Sequence, residues 1–201
     1  MPSKRIAILI MAAGSSSRMG APKQLLSWKN TTLIENAITN VLQLEPLKSI
    51  VVLGANSEQI IPKIEAYPVE IIHNSSWDSG LGNSIAYGVR HIKKNYEVDA
   101  VLVILADQPL IETSYLKEMI TLFDVNKNQI IATQYQNEKL GVPALFDKSY
   151  FEELSTIDGD KGAKILLEEY VKSVITTQLA ANVFDVDTEE DYNKLKSFNH
   201  Q

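Results

Sequence analysis

Short apolar runs separated by segments of helical period are the feature that most restricts how this chain can fold. Three of the runs, at 6–11, 49–54 and 100–106, read IAILIM, SIVVLG and AVLVILA. Runs so rich in Val, Ile and Leu, without polar alternation, are typical of strands buried on both faces of a parallel sheet. Between the first two runs, Thr32 and Glu35 form a capping-box pattern that predicts the start of a helix. This alternation predicts an α/β fold of three layers.

The rest of the chain continues the same alternation. Further strands are predicted at 69–72, 129–135, 142–146, 173–179 and 182–186, and further helices from about 82 and at 113–123, 160–171 and 188–197. The GVPALF run at 141–146 breaks the rhythm and predicts an antiparallel excursion from a mostly parallel sheet. No linker, repeat or low-complexity segment divides the chain, so we expect one domain over residues 1–201.

The composition restricts the class of protein. The chain has 201 residues, no cysteine and a net charge of −6. The lack of cysteine excludes disulfides, thiolate metal sites and a cysteine nucleophile, and the acidic balance disfavours nucleic acid as a partner. No stretch approaches the ~20 apolar residues that a membrane helix requires, and the apolar run near the N-terminus fits a first strand better than a signal peptide. We therefore expect a cytoplasmic protein without membrane or nucleic-acid partners.

Small, amide and carboxylate residues follow the predicted strands at the points where those strands end. The segments concerned are 12–20, 54–56, 73–84, 106–109 and 185–191. In open α/β sheets, ligands bind outside the carboxyl ends of the strands. We therefore expect these segments to converge on one crevice.

The loop after the first strand, AAGSSSRMG, carries features of an anion site. Residues 12–14 can present backbone N–H groups, and a helix starting near Ser16 would direct its positive end at a phosphate. Arg18 offers planar bidentate contacts and Lys23 a movable charge, which together suit a polyphosphate. The alternative interpretation is a plain strand-to-helix turn with two surface cations. Neither the Gly-Lys-Ser/Thr phosphate loop nor G-x-G-x-x-G is present.

Three carboxylates follow predicted strands and have two interpretations each. Asp107 either caps a helix after Pro109 or binds Mg²⁺, which proteins hold with one or two carboxylates and substrate phosphates. Asp187 either caps the last helix or joins Asp107 as a metal ligand. Asp185 has no comparable capping role. Asp107 with Asp185 or Asp187 would form a credible metal site.

Two further segments have similar double interpretations. Asn83 and Ser84, after two glycines, would line a base or substrate pocket or simply belong to a tight turn with a cap. The segment around Pro143 would form a wall against an acceptor, or an edge strand with Pro143 at a bulge.

The DGDKGAK segment at 158–164 is unusual in its charge. Asp160 is predicted to cap a helix whose first turn holds Lys161, Gly162 and Lys164. Cations at a helix N-terminus are locally unfavourable. This placement therefore favours an anionic ligand there.

MAAGSSSRMGAPKQLL at 11–26 resembles the signature of the MobA-like nucleotidyltransferases. The resemblance continues, in family order over nearly the whole chain, through TTLIENAI, NSSWDSGLGNSI, LADQP, GVPALF, GDKGA and DVDTEEDY. It implies a Rossmann-like nucleotide-diphospho-sugar-transferase fold and transfer of a nucleotidyl group with Mg²⁺ and release of pyrophosphate. Ala-Ala-Gly at 12–14, where the guanylyl branch has Ala-Gly-Gly, is similar to the cytidylyl branch that acts on molybdenum cofactor.

The resemblance also implies roles for individual residues. Arg18, Lys23 and Asp107 match catalytic positions. The nucleotide-binding residues would be Ala12, Ala13, Gly14, Ser15, Arg18, Lys23, Asn56, Asp78, Gly80, Ser84 and Asp107. The acceptor-binding residues would be Gly141, Pro143, Asp160, Lys161 and Gly162. The metal ligands would be Asp107 with Asp185 or Asp187.

The reaction implied is transfer of CMP from CTP to the terminal phosphate of molybdopterin or its metal-loaded form. A molybdoenzyme or an insertion chaperone would be a further partner. Two alternatives stay open: a nucleotidyltransferase with another acceptor, such as a sugar or polyol phosphate, and a non-catalytic nucleotide-binding partner of a molybdoenzyme. Pro-Lys-Gln at 22–24 also occurs in the methylerythritol phosphate cytidylyltransferases, which lack the Gly-Asp-Lys-Gly block.

Overall fold

A seven-stranded sheet forms the centre of the molecule. The structure, a computed structural model, describes residues 4–17, 19–136, 138–178 and 185–198. The strands are β1 (Ile6–Ala12), β2 (Ser27–Trp28), β3 (Thr31–Thr32), β4 (Lys48–Leu53), β5 (Glu70–His73), β6 (Ala100–Leu105), β7 (Ile130–Gln134), β8 (Leu140–Asp147) and β9 (Val174–Gln178). The main sheet has the order β5-β4-β1-β6-β8-β7-β9, and β2 and β3 form a separate hairpin.

The strand directions confirm a mostly parallel sheet with an antiparallel excursion. Neighbours from β5 through β4 and β1 to β6 pair in parallel, as do β7 and β9. Within the described part of the main sheet, β8 alone runs antiparallel to its neighbours, with β6 on one side and β7 on the other.

Helices cover both faces of the sheet. They are α1 (Leu33–Leu42), α2 (Ser57–Ile64), α3 (Leu81–Asn95), α4 (Thr113–Leu122), α5 (Phe151–Leu154), α6 (Lys164–Glu169) and α7 (Glu189–Ser197), with 3-10 turns at Lys23–Leu25, Trp77–Ser79 and Lys148–Tyr150. Among the residues described, no helix has the length and apolar character needed to cross a lipid bilayer.

Side chains of β1 show how the three layers form. Ala7, Leu9 and Met11 pack into a core with α3, α5 and α6, whereas Ile8 and Ile10 pack into another with α1, α2 and α4. All seven residues of the strand are buried. The sequence prediction of strands buried on both faces is therefore confirmed.

The loops after the strands depart from the predicted helix starts. Residues 13–16 have no regular structure, and Ser16 has a φ of +58°, so no helix begins near Ser16. The first helical turn is the short 3-10 turn at 23–25. The reason is that Ser16 adopts the left-handed conformation, which an α-helix does not contain.

One predicted helix cap is wrong, the capping alternative for Asp107 is excluded, and one predicted cap is confirmed. Helix α6 begins at Lys164 with Ala163 at its N-cap, so Asp160 lies in the preceding turn. Helix α4 has Glu112 as N-cap, so Asp107 does not cap it. The capping box of Thr32 and Glu35 at α1 is present as predicted.

The last helix is capped by the residue after the predicted one. Thr188 accepts a hydrogen bond from the Asp191 N–H, and the Asp191 carboxylate accepts from the Thr188 N–H, so these two form a capping box. Asp187 stands outside that box. Its side chain is therefore available to the site.

Pro143 lies at a bulge, but in an interior strand. The register changes from Ala132 opposite Ala144 to Thr133 opposite Gly141, which leaves Val142 and Pro143 outside the regular pairing. Because a bulge needs no ladder N–H at that position, proline is compatible with it. The prediction of an edge strand is wrong, since β8 lies between β6 and β7. In the strand predicted at 182–186, residues 182–184 lie outside the described residues, and 185–186 are not in a strand.

Asp99 joins the beginnings of β1 and β6. Its carboxylate accepts hydrogen bonds from the Arg5 backbone N (2.8 Å) and the Arg5 Nη2 (3.2 Å). Burial raises the pKa of Asp99, but the bonds from Arg5 outweigh it and hold the pKa below its ordinary value. The side chain of neighbouring Glu97, 3.4 Å from the same guanidinium, is 93% exposed.

We predict that Asp99→Asn lowers the free energy of unfolding by about 1 kcal/mol at pH 7, because a buried charge-assisted bond is lost. A lowered folded-state pKa contributes stability above the unfolded value of about 3.9 and loses it as pH falls through the folded value. The difference from wild type should therefore shrink below about pH 4. Urea unfolding at several pH values measures it. Glu97→Gln is the matched control and should leave stability unchanged; an equal loss in both variants would contradict the assignment.

Candidate active site

A cavity of about 440 Å³ opens at the carboxyl ends of β1 and β6. It brings together the following predicted site residues: Ala12, Ala13, Gly14, Ser15, Lys23, Asp78, Gly80, Ser84, Asp107, Asp160, Asp185 and Asp187. The strand ends therefore converge as parallel topology requires. Arg18, which the sequence also placed here, lies outside the described residues.

The loop after β1 is held by two amide side chains, of which Gln24 also lines the cavity. Gln24 Nε2 donates to the carbonyl oxygens of Ala12 (3.2 Å) and Gly14 (3.0 Å). Asn56 Nδ2 donates to the carbonyl oxygens of Ser15 (3.2 Å) and Gly14 (3.4 Å). Asn56 is not among the residues that line the cavity. Its observed contacts are with the loop backbone.

Lys23 links two of the carboxylates. Its Nζ contacts Asp107 Oδ2 and lies 2.7 Å from Asp187 Oδ1. Burial alone would lower the pKa of Lys23, but the contacts with Asp107 and Asp187 outweigh it and raise the pKa. Lys23 is therefore a protonated ammonium at neutral pH. Burial raises the pKa of Asp107, and contact with Lys23 opposes that rise.

Asp185 belongs to a second polar group beside the first. Gln108 Nε2 donates to Asp185 Oδ1 and to the Tyr135 hydroxyl, both at 2.8 Å. The Tyr135 hydroxyl in turn donates to the carbonyl oxygen of Val142. Burial, with the nearby charge of Asp107, raises the pKa of Asp185 to about 6. The backbone N–H of Val186 donates to the carbonyl oxygen of Asp107 (3.1 Å) and ties this segment to the end of β6.

The donor set fits a divalent cation held together with a ligand's phosphates. Asp107 Oδ1 is buried and has no hydrogen-bond partner, while Asp107 Oδ2 and Asp187 Oδ1 already meet at the Lys23 ammonium. Oxygen ligands of this kind suit Mg²⁺, which binds one or two carboxylates and completes its shell with phosphates and water. Within the described ranges, no three His, Asp or Glu side chains converge on one metal position.

Two glycine-rich loops, around Gly80 and Gly159, are joined by backbone hydrogen bonds on the opposite wall of the cavity. The Gly82 N–H donates to the Gly159 carbonyl (2.8 Å), and the Gly159 N–H donates to the Ser79 carbonyl (3.1 Å). Gly80 has a φ of +102°, and a Cβ there would lie 2.8 Å from the Asp160 nitrogen. This close approach brings Asp78 and Asp160, from distant parts of the sequence, to the same cavity.

A second cavity of about 370 Å³ adjoins the first, and both are lined by Leu81, Leu105 and Asp185. Of the predicted acceptor residues, Gly141 and Lys161 line it, Asp160 lines the first cavity, and Pro143 and Gly162 line neither. Its other lining residues are Gln108, Tyr135, Lys139, Leu140, Val142, Ala163 and Lys164.

Sequence reasoning missed three polar residues of the site: Gln24, which holds the loop after β1, and Gln108 and Tyr135 of the second polar group. Gln24 and Gln108 each directly follow a residue that the sequence singled out, Lys23 and Asp107. A polar side chain directly after a candidate site residue could have indicated that Gln24 and Gln108 belong to the site. Tyr135 gave no such signal, since it follows a strand far from the other motifs.

Comparison with known proteins gives a sequence relative and solved structures that each cover more than nine-tenths of this chain. Nicotine blue oxidoreductase of Paenarthrobacter nicotinovorans is 28% identical over 199 residues, or 93% of this chain and 94% of that protein. The crystal structure of a Mycobacterium sp. strain JC1 homologue of the M. tuberculosis protein Rv0371c is 28% identical, with a TM-score of 0.83 and 98% of each chain covered. Rv0371c from M. tuberculosis H37Rv, in complex with manganese, is 23% identical, with a TM-score of 0.80 over 96% of this chain and 98% of that chain.

The family match covers most of the sheet and the site. It extends over residues 8–174, from within β1 to the first residue of β9. It therefore includes the loop after β1, the glycine-rich loops and Asp107. The chain belongs to the family of the MobA-like NTP transferase domain, and its Rossmann-like sheet is the fold of that family.

Proposed function

We propose that this MobA-like nucleotidyltransferase transfers CMP from CTP to the terminal phosphate of molybdopterin or its metal-loaded form, with Mg²⁺ and release of pyrophosphate. The observation that carries the proposal is the position of Lys23, whose ammonium joins Asp107 and Asp187 beside two adjoining cavities. Two cavities that meet at Asp185 suit a reaction between two bound substrates.

The first cavity suits the nucleotide. Residues 12–15 form one wall, and their backbone N–H groups would bind phosphate oxygens. Lys23 would neutralise the negative charge that moves from the triphosphate onto the leaving pyrophosphate. Ala12-Ala13-Gly14 supports cytosine as the base through its resemblance to the cytidylyl branch.

The second cavity suits the acceptor. Leu140 and Val142 provide an apolar surface, and Lys161 and Lys164 lie on its rim. This combination fits a phosphate monoester with a partly apolar body. Such a phosphate has a second pKa near 6 and is mostly dianionic at pH 7. It can therefore attack the α-phosphorus without a general base. This agrees with a chain that has no cysteine and, among its described residues, no histidine that lines either cavity.

Asp107 and Asp187 are the residues that would hold the divalent cation, with Asp185 close by. When bound, Mg²⁺ would supply charge neutralisation for the phosphates. The neighbour that contains manganese supports a divalent cation in this fold. In the proposed setting the product would pass, in the cytoplasm, to a molybdoenzyme or its insertion chaperone.

A second candidate function is oxidoreduction. It is favoured by the similarity to nicotine blue oxidoreductase over 94% of that protein's length. The two functions are separated by one assay pair, in which nicotine blue with NADH or NADPH is compared with CTP, Mg²⁺ and an acceptor. Turnover in the first assay without pyrophosphate release in the second would support oxidoreduction.

We predict that pyrophosphate release with molybdopterin and Mg²⁺ is at least about tenfold faster with CTP than with GTP, ATP or UTP. The reason is the cytidylyl form of the first loop. A coupled pyrophosphate assay and mass spectrometry of the product measure it. If CMP is transferred only to a sugar or polyol phosphate, that phosphate replaces molybdopterin as the acceptor. If CTP binds but no pyrophosphate is released with any acceptor, the protein is a non-catalytic nucleotide-binding partner.

We also predict that Lys23→Met lowers kcat by at least about 100-fold, because a cation that contacts the transition state contributes about 3 kcal/mol. Methionine keeps most of the volume and removes the charge. Circular dichroism should show a folded protein. Its melting temperature should be lower than that of wild type, because Asp107 loses its counter-ion. Lys63→Met, on the exposed face of α2, is the control. Near-normal turnover in Lys23→Met would exclude a catalytic role for Lys23.

A further inference from the structure

We infer that Gln24 is a positioning residue for phosphate binding, because its bonds to two carbonyl oxygens fix the orientation of the peptide groups of the loop that lines the nucleotide cavity with it. The inference rests on nucleotide binding in the proposed function. Gln24 is 2% exposed, and its amide nitrogen is within hydrogen-bond distance of two carbonyl oxygens of the loop after β1.

Each carbonyl oxygen from residue 12 to residue 15 accepts a hydrogen bond from the protein. Gln24 binds those of Ala12 and Gly14, the Ala55 N–H binds that of Ala13 (3.2 Å), and Asn56 binds that of Ser15. Carbonyl oxygens that faced an anion would repel it. Because these four are held by protein donors, the loop presents little negative charge to the cavity.

Peptide geometry then determines where the N–H groups point. In a planar trans peptide the C=O and the following N–H point in opposite directions. The carbonyls of Ala12 and Gly14 point to Gln24, so the N–H groups of Ala13 and Ser15 point away from it. Backbone N–H groups on one side of a loop can form an anion-binding concavity. No helix begins near Ser16, so these amides replace the helix terminus that the sequence predicted.

Gln24 also braces the turn that carries Lys23. Its Oε1 accepts a hydrogen bond from Ser16 Oγ (3.3 Å), and Ser16 Oγ accepts one from the Lys23 N–H (3.0 Å). The loop and the lysine are therefore connected through one buried amide. Two functions of this amide are required at once, an acceptor for Ser16 and donors for the carbonyls, and a carboxylate or thioether cannot supply both.

The test compares Gln24→Met with wild type. Methionine has a similar volume and no amide hydrogens, so the loop carbonyls lose their donors. Calorimetry with Mg²⁺–CTP and with inorganic tripolyphosphate should give dissociation constants at least tenfold higher than wild type. The KM for the acceptor should stay within about twofold, while the KM for CTP rises. Gln59→Met, on the exposed face of α2, is the matched control and should bind both ligands as wild type does.

Binding is measured without acceptor, so a wrong acceptor assignment leaves the comparison intact. Unchanged dissociation constants in Gln24→Met would overturn the inference while the proposed function stands. Absence of any binding by wild type would overturn both.

A second measurement does not depend on the folding of a variant. In wild-type protein labelled with ¹⁵N, the amide resonances of Ala13, Gly14 and Ser15 should shift more than others when tripolyphosphate is added. Shifts confined to lysine-bearing segments elsewhere would overturn the inference.

Discussion

Burial of the central strands on both faces is the constraint on which the rest of the structure depends. Side chains of β1 alternate between two apolar cores, so its interior offers no place for a charged group. Polar chemistry is therefore confined to the strand ends and the loops that follow them. Lys23, Asp107 and the glycine-rich loops lie together at the carboxyl ends of β1 and β6, where several chain segments meet around one cavity.

The same constraint explains which parts of the fold could be predicted from the sequence. Continuous apolar runs mark strands, and the period of Ile85, Val89 and Ile92 marks the buried face of α3. Short polar segments carry no such period. The loop at Ser16 and the turn at Asp160 were mispredicted because distant partners determine their conformations: Gln24 and Asn56 hold the first, and the 79–82 segment holds the second.

Convergence of the candidate site residues could be predicted for the same reason, since parallel strands end at one edge. The individual pairings could not. Lys23 and Asp187 are 164 positions apart, and Gln108 and Asp185 are 77 apart. Such contacts depend on the position of residues 185–187 beside the end of β6, which local patterns do not encode. From the sequence, Asp187 could either cap the last helix or bind a metal. The structure shows that Thr188 caps that helix.

The charge balance of the cavity bears on how a nucleotide enters it. Its wall holds Asp78, Asp107, Asp160, Asp185 and Asp187, whereas Lys23 is the cation among the described lining residues. Buried ion pairs of this kind seldom stabilise a fold more than apolar packing would. The pKa of Asp185 is raised to about 6 first by burial and second by the neighbouring charge of Asp107. A bare triphosphate would be repelled by this wall. A divalent cation bound with the polyanion would offset this repulsion, and the loop amides would then contact the phosphates without adding negative charge.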